Sequence, residues 1–164
     1  MIICDIDGVV CDNTKVATFD DWERTFDTME PNSGLIKLLS PVLGDVMFVT
    51  GRSEKYRERT MAWFQVHWPE AIERSMGFQF RPLDQGSTSS DDLKRAAVKR
   101  LKAAGYPEPT LAIDDVGSNC RTYRDMGIPS MQHLVPMASE FEDLVDSDFH
   151  NNIKSGMKVA TNEA

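Results

Sequence analysis

Three short apolar runs end abruptly in oxygen-bearing side chains, and no other feature of the sequence restricts the fold as tightly. Ile2-Ile3-Cys4 runs into Asp5-Ile6-Asp7-Gly8, Val46-Met47-Phe48-Val49 into Thr50-Gly51-Arg52, and Leu111-Ala112-Ile113 into Asp114-Asp115. Runs this short and this apolar read as strands buried on both faces. Carboxylates at the end of a buried strand are costly unless a cation or hydrogen-bond donors compensate them. Gly8 marks where the first strand stops, because glycine lets the backbone turn sharply or approach a ligand closely.

The segments between these runs carry helical patterns. In residues 11–33, Phe19, Trp22, Phe26 and Met29 recur three or four apart, which predicts a small amphipathic flap. Ser33 is the expected N-cap of a helix carrying Leu35, Ile36, Leu38 and Leu39, ended by Pro41 and Gly44. The second strand is expected over 45–50, and a helix from about Glu54 to Trp68, where Pro69 ends it. Met76 to Phe80 reads as a third strand, leading through Arg81-Pro82 into a polar loop. Ser90-Asp91-Asp92 caps a helix over Asp91 to Ala104, stopped by Gly105 and Pro107. A fourth strand over Leu111 to Asp115 precedes a helix through Tyr123, Arg124 and Met126. Pro129 to Leu134 reads as a fifth strand at a sheet edge, since proline lacks the N–H that a central strand needs.

This alternation predicts an α/β fold, a Rossmann-like three-layer sandwich with a central parallel five-stranded sheet and a minimal cap. One domain is expected over 1–138, with its flap at 11–33. A partly flexible C-terminal segment follows at 139–164, polar and unpatterned from about His150. Parallel sheets of this kind bind ligands beyond the carboxyl ends of their strands. Asp5 and Asp7, Thr50, and Asp114 and Asp115 are therefore expected at one rim. Four carboxylates gathered there call for a hard cation, and an all-oxygen set favours Mg²⁺.

Charge and composition bound the function. With 41% hydrophobic and 27% charged residues, the 164-residue chain has the balance of an ordinary soluble domain. The net charge of −8 argues against strong unaided binding to nucleic acid, although acids clustered around a cation inflate that figure. No apolar run approaches the roughly 18–20 residues of a membrane span, so no membrane partner and a cytoplasmic location are expected. Cys4, Cys11 and Cys120 match no zinc spacing and read as reduced thiols. His67, His133 and His150 form no ligand cluster, and the sequence assigns them no role.

Asp5-Ile6-Asp7-Gly8-Val9-Val10 resembles the first motif of the haloacid dehalogenase superfamily in its phosphatase form. Phe48-Val49-Thr50-Gly51-Arg52 resembles its second motif and Ala112-Ile113-Asp114-Asp115 its fourth. Three such motifs in order at strand ends are a specific signal. The stretch from Gln85-Gly86 through Asp91-Asp92 to Asp114-Asp115 is further similar to the phosphatase domain of phage polynucleotide kinase-phosphatases. The Gly-x-x-x-x-Gly-Lys-Ser/Thr loop of a kinase occurs nowhere in the 164 residues.

The resemblance implies an enzyme, a phosphoric monoester hydrolase. Asp5 would be the nucleophile that becomes an aspartyl-phosphate, Asp7 the general acid and base, and Thr50 a hydrogen-bonding group for a phosphoryl oxygen. Mg²⁺ would be held by the Asp5 carboxylate, the Asp7 carbonyl and Asp114, with Asp115 supporting or sharing that role. Arg52, directly after Thr50-Gly51, is placed to reach a substrate phosphate with its planar fork, with Gly51 beside it in the substrate site; a helix-capping or surface role is the alternative for Arg52. The third motif needs a basic residue, and an ungapped match of Asp91-Asp92 puts Arg95 in that place. A helical wheel instead turns Lys94 toward Ala97 and Leu101, the inward face, and Arg95 away from it. Lys94 is the expected catalytic cation, Arg95 the alternative in a substrate-binding role, and Lys99 a weaker third.

A short flap resembles relatives that act on bulky phosphate esters. It points to a phosphorylated nucleic-acid end, and the resemblance to the 3′-phosphate of DNA or RNA. The acidic balance pulls toward a mononucleotide or another small ester. A non-catalytic phosphate-binding module ranks below both, because Asp5, Asp7, Thr50 and Asp114 are all present.

Overall fold

A computed structural model describes residues 1–13, 23–26, 28–86 and 88–134. The middle of the predicted flap, with Phe19 and Trp22, and the C-terminal segment 139–164 lie outside the described residues. Five strands form one sheet in the order β3-β2-β1-β4-β5: β1 (Ile2–Cys4), β2 (Val46–Ser53), β3 (Gly77–Arg81), β4 (Leu111–Asp114) and β5 (Ser130–Gln132). Every neighbouring pair is parallel, and β5 lies at an edge. The chain builds outward from β1 through β2 to β3, then returns to place β4 on the other side of β1. That reversal puts the ligand-binding crevice of such a sheet between β1 and β4.

Alternating side chains give the sheet two cores. On one face Phe48 stacks on Phe78 with ring centroids 4.8 Å apart, and Phe64 and Trp68 close over them. The helices α1 (Ser33–Leu39), α2 (Arg57–His67) and α3 (Pro69–Arg74) contribute to this face. On the other face Ile3, Met47 and Val49 pack against Ala97, Val98 and Leu101 of α4 (Ser90–Ala103) and Tyr123 of α5 (Gly117–Asp125). The predicted three-layer parallel sandwich is thus the observed one. Among the described residues no helix is long and apolar enough to cross a membrane.

Several local boundaries depart from expectation, each for a definable reason. Asn32, not Ser33, caps α1, because its Oδ1 accepts the Leu35 N–H at 3.2 Å and Ser33 is already helical. The helix expected over 54–68 breaks at Trp68 after an initial 3₁₀ turn. Pro69 then opens α3, at the first helical position where a missing N–H costs no hydrogen bond. Ser89 replaces Ser90 as the cap of α4: its hydroxyl accepts from the Asp92 N–H and donates to the Asp92 carboxylate. The second strand does not stop at Thr50 but runs through Gly51 and Arg52, since Ser53 pairs with Arg81 across a register shift. The fifth strand is shorter than expected, three residues beginning after Pro129.

Candidate active site

β1 ends at Cys4, yet Asp5 continues its ladder by donating its N–H to the Ile113 carbonyl at 2.9 Å. The chain then coils tightly: the Ile6 carbonyl accepts from the N–H groups of Val10 and Cys11 at 2.8 and 3.0 Å. Gly8, in the middle of this turn, has φ +69°, and a Cβ there would collide with the Asp115 carboxylate. The turn therefore needs glycine for its conformation and for its contact with the second pair of acids.

The turn also separates Asp5 from Asp7, and each faces its own cation. Asp5 points toward α4, where Lys94 Nζ lies 2.9 Å from its Oδ2 and 3.1 Å from Asp114 Oδ2. Lys94 Nζ further donates to the Val49 carbonyl at 2.6 Å, and the residue is 1% exposed. Burial works against its charge, but Asp5, with Tyr123 and Asp114, outweighs burial and raises its pKa. Arg95, the alternative cation, is half-exposed beside it on α4, and Lys99 is exposed.

Asp7 turns to Arg52 of β2. The guanidinium donates through Nε to Asp7 Oδ2 at 3.0 Å and through Nη2 to Oδ1 at 2.7 Å, and through Nη1 to Thr60 Oγ1 of α2 at 3.1 Å. It lies over the Phe26 ring, 4.6 Å from the centroid, and is 1% exposed. Burial opposes this charge too, and Asp7 more than offsets it, so the Arg52 pKa rises. Arg52, expected as a substrate contact or a capping or surface residue, is placed by the extended β2 with its guanidinium buried against Asp7. Thr50 is buried, and its hydroxyl accepts the Arg52 N–H at 3.1 Å. The Gly51 carbonyl accepts from Arg81 Nε at 3.0 Å, and Arg81 Nη1 donates to the carbonyls of Gly86 and Thr88, anchoring the loop before α4 to β2.

Asp114 and Asp115 complete the rim. Oxygens of Asp5, Asp114 and Asp115 all lie within 4.8 Å of one another. Three carboxylates against one ammonium leave net negative charge in a buried space. Accordingly, burial pushes the Asp5 carboxyl well up against the opposing Lys94, helped by Asp114 and Asp115. Burial and then Asp114 push Asp115 up to about 6. Asp114 Oδ1 accepts from the Val116 N–H at 3.0 Å and from Asn119 Nδ2 at 2.8 Å. Its buried Oδ2 has no hydrogen bond among the described residues beyond the ion pair with Lys94 at 3.1 Å. An all-oxygen cluster of three carboxylates with excess negative charge fits a hard divalent cation. The Asp7 carboxylate is not part of that cluster, so any share it has in a metal shell falls to its main-chain carbonyl.

Residues that sequence reasoning passed over support this rim. Asn119 holds Asp114, and Asn13 Nδ2 reaches Asp115 Oδ2 at 3.4 Å. Gln132 Nε2 donates to the Asp115 carbonyl at 3.0 Å. Asn119 stands at the opening turn of the helix that follows the acids, a position where a side-chain amide can reach back to the strand end.

At the crevice where the sheet order reverses between β1 and β4, paired acids flank a buried lysine, as the resemblance to the haloacid dehalogenase superfamily leads one to expect. The chain belongs to the family described as the polynucleotide kinase PNKP phosphatase domain, whose model matches residues 1–135. No curated protein matches it in sequence. Among solved structures it is similar to a chain of the Pnkp1/Rnl/Hen1 complex, with a TM-score of 0.63 and 19% identity, over 80% of this chain and 44% of that one. The chain thus spans less than half the length of that relative. It is also similar to a hydrolase from Streptococcus pneumoniae TIGR4, with a TM-score of 0.55 and 9% identity, over 87% and 96% of the two chains. The Class C acid phosphatase from Bacillus anthracis gives a TM-score of 0.53 and 16% identity, over 99% and 79%. At these identities the likenesses speak for the fold.

Proposed function

We propose that the protein is a Mg²⁺-dependent phosphomonoesterase that works through an aspartyl-phosphate on Asp5, and that its substrate is the 3′-phosphate of a polynucleotide. The observation that carries this reading is the placement of Asp5: at the crevice, paired with Lys94, and within reach of Asp114 and Asp115. Asp5, Asp114 and Asp115 would hold the cation, with the Asp7 carbonyl. When bound, Mg²⁺ supplies positive charge that lets an anionic nucleophile approach an anionic phosphate.

The chain's own groups account for the rest. An Asp5 carboxylate oxygen bonds to phosphorus as the bond to the leaving oxygen breaks, and Asp7 gives that oxygen a proton. Asp7 then takes a proton from water as the water oxygen attacks phosphorus, releasing phosphate and restoring the Asp5 carboxylate. Lys94 orients Asp5 and offsets its charge during the approach. The Thr50 hydroxyl donates to a phosphoryl oxygen, and Gly51 leaves room for it. Arg52 belongs with Asp7 as its positioning partner, and Arg95 stands outside this chemistry on the exposed side of α4.

The polynucleotide end rests on the family match. The net charge of −8 favours a second reading, a nucleotidase acting on a small ester. Phosphate release in Mg²⁺ from 3′-phosphorylated oligonucleotides, 5′-phosphorylated oligonucleotides and mononucleotides separates the two. Preference for the 3′-phosphorylated oligonucleotide is the expected result. Release from mononucleotides alone would replace it with the second reading, and no release from any would overturn both.

A further inference from the structure

His133, just beyond β5, has no place in the chemistry above, yet it is bonded to the turn that carries it. Its Nδ1 lies 2.7 Å from the Gly8 carbonyl oxygen and its Nε2 3.0 Å from Asn32 Nδ2. Its own N–H donates to the Asp114 carbonyl at 2.9 Å. One residue thus joins the turn after β1 and the cap of α1 through its side chain, and the end of β4 through its main chain.

The protons of this arrangement follow from its partners. A carbonyl oxygen can only accept, so Nδ1 carries the hydrogen and donates to Gly8. Asn32 cannot be turned over: its Oδ1 accepts the Leu35 N–H at 3.2 Å, and its Nδ2 donates to the Val9 carbonyl at 3.1 Å. The second hydrogen of Nδ2 is therefore left to point at His133 Nε2, which accepts it. Asn32 N–H donates to the Val10 carbonyl at 2.8 Å as well. Every polar atom of the two side chains is used, and three successive carbonyls, those of Gly8, Val9 and Val10, are held by the pair.

We infer that His133, locked by Asn32 as the Nδ1–H tautomer, is a positioning residue that sets the spacing between the Asp5–Asp7 turn and the Asp114–Asp115 strand end. Gly8 packs against the Asp115 carboxylate, so the turn and the strand end touch there. A hydrogen bond to its carbonyl fixes the Gly8–Val9 peptide plane, and with it the distance across which Asp5 and Asp115 face a common cation. The inference rests on the Mg²⁺-phosphatase reading for its consequence in turnover, but its geometry does not.

The test compares the wild type with His133→Ala, His133→Asn and His133→Gln. Asparagine can present its amide N–H near the Nδ1 position, whereas glutamine reaches the Nε2 position and leaves Gly8 unbonded. Phosphate-release kcat, Mg²⁺ affinity by calorimetry and the thermal midpoint are measured for all four, and the wild-type tautomer by ¹⁵N NMR. His133→Asn is expected within about threefold of the wild type in kcat and Mg²⁺ affinity. His133→Ala and His133→Gln are expected to lose tenfold or more in both, whatever their midpoints. Equal behaviour of the Asn and Gln variants, losses that follow only the midpoint, or an Nε2–H tautomer would overturn the inference. Should the wild type release no phosphate, the phosphatase reading fails on its own, and the Mg²⁺ affinities still decide the role of His133.

Discussion

Arg52 grips the carboxylate of Asp7 side-on, Nε to Oδ2 and Nη2 to Oδ1, from a position sealed beneath Phe26 and beside Thr60. Lys94 meets Asp5 from the opposite helical layer. Two acids separated by a single residue are thereby assigned to different cations, one from each face of the sheet. Arg52→Ala should lower kcat by about 10²-fold or more, the range for loss of a positioned acid–base group, with a smaller change in KM. Arg52→Lys should recover little, because an ammonium cannot make the two parallel bonds. Recovery of full kcat by lysine would mean that only charge matters at this position.

Asp5→Asn should abolish turnover, by about 10³-fold or more, while leaving the fold intact. Phosphate release together with a circular-dichroism melt checks both halves. Substantial residual turnover would remove Asp5 from the nucleophile role.

Removing Lys94 strands two buried carboxylates. Lys94→Met should cost about 3 kcal/mol or more of stability in metal-free buffer, as when one partner of a buried ion pair is deleted. Mg²⁺ should return part of that loss, since it supplies charge to the same oxygens. Arg95→Ala, on the half-exposed side of α4, should stay within about 0.5 kcal/mol of wild type. Denaturant unfolding with and without Mg²⁺ measures each, and greater damage from Arg95→Ala would transfer the third-motif role to it.

Asp115, pushed up to about 6 chiefly by burial, gives a pH dependence with a definite sign. Its folded pKa lies above the ordinary carboxylate value, so the metal-free protein gains stability from this group as pH falls from above 6 toward 4. Mg²⁺ competes with that proton, so its affinity and its stabilising effect should shrink as pH drops through about 6. Thermal midpoints at pH 5, 6 and 7.5, with and without Mg²⁺, test this. An Mg²⁺-induced shift that is equal at pH 5 and 7.5 would contradict it.

The main lines of the fold could be read from short apolar runs and helical spacing, because burial on both faces leaves few alternatives to a parallel sheet. The inward placement of Lys94 was also readable, from its position relative to Ala97 and Leu101 on a wheel. Pairwise relations across the sheet were not. Nothing in Thr50-Gly51-Arg52 says that β2 continues far enough to bury a guanidinium, since Ser53–Arg81 pairing decides it. His133 and Asn32 each look like an isolated polar residue, and only the return of β5 to the crevice brings them together. Asn119 was passed over for the same reason: its partner is set by the angle at which α5 leaves β4.

The strand order has a consequence for how the protein comes to be active. β1 and β4 lie side by side in space but have most of the domain between them in sequence. Contacts of such long range form late, because closing the intervening loop costs entropy before any pairing repays it. During synthesis Asp5 emerges well before its partners Lys94, Asp114 and Asp115. Completion of the site is thus a report on completed folding: a chain stalled before β4 carries Asp5 without the acids that share its crevice.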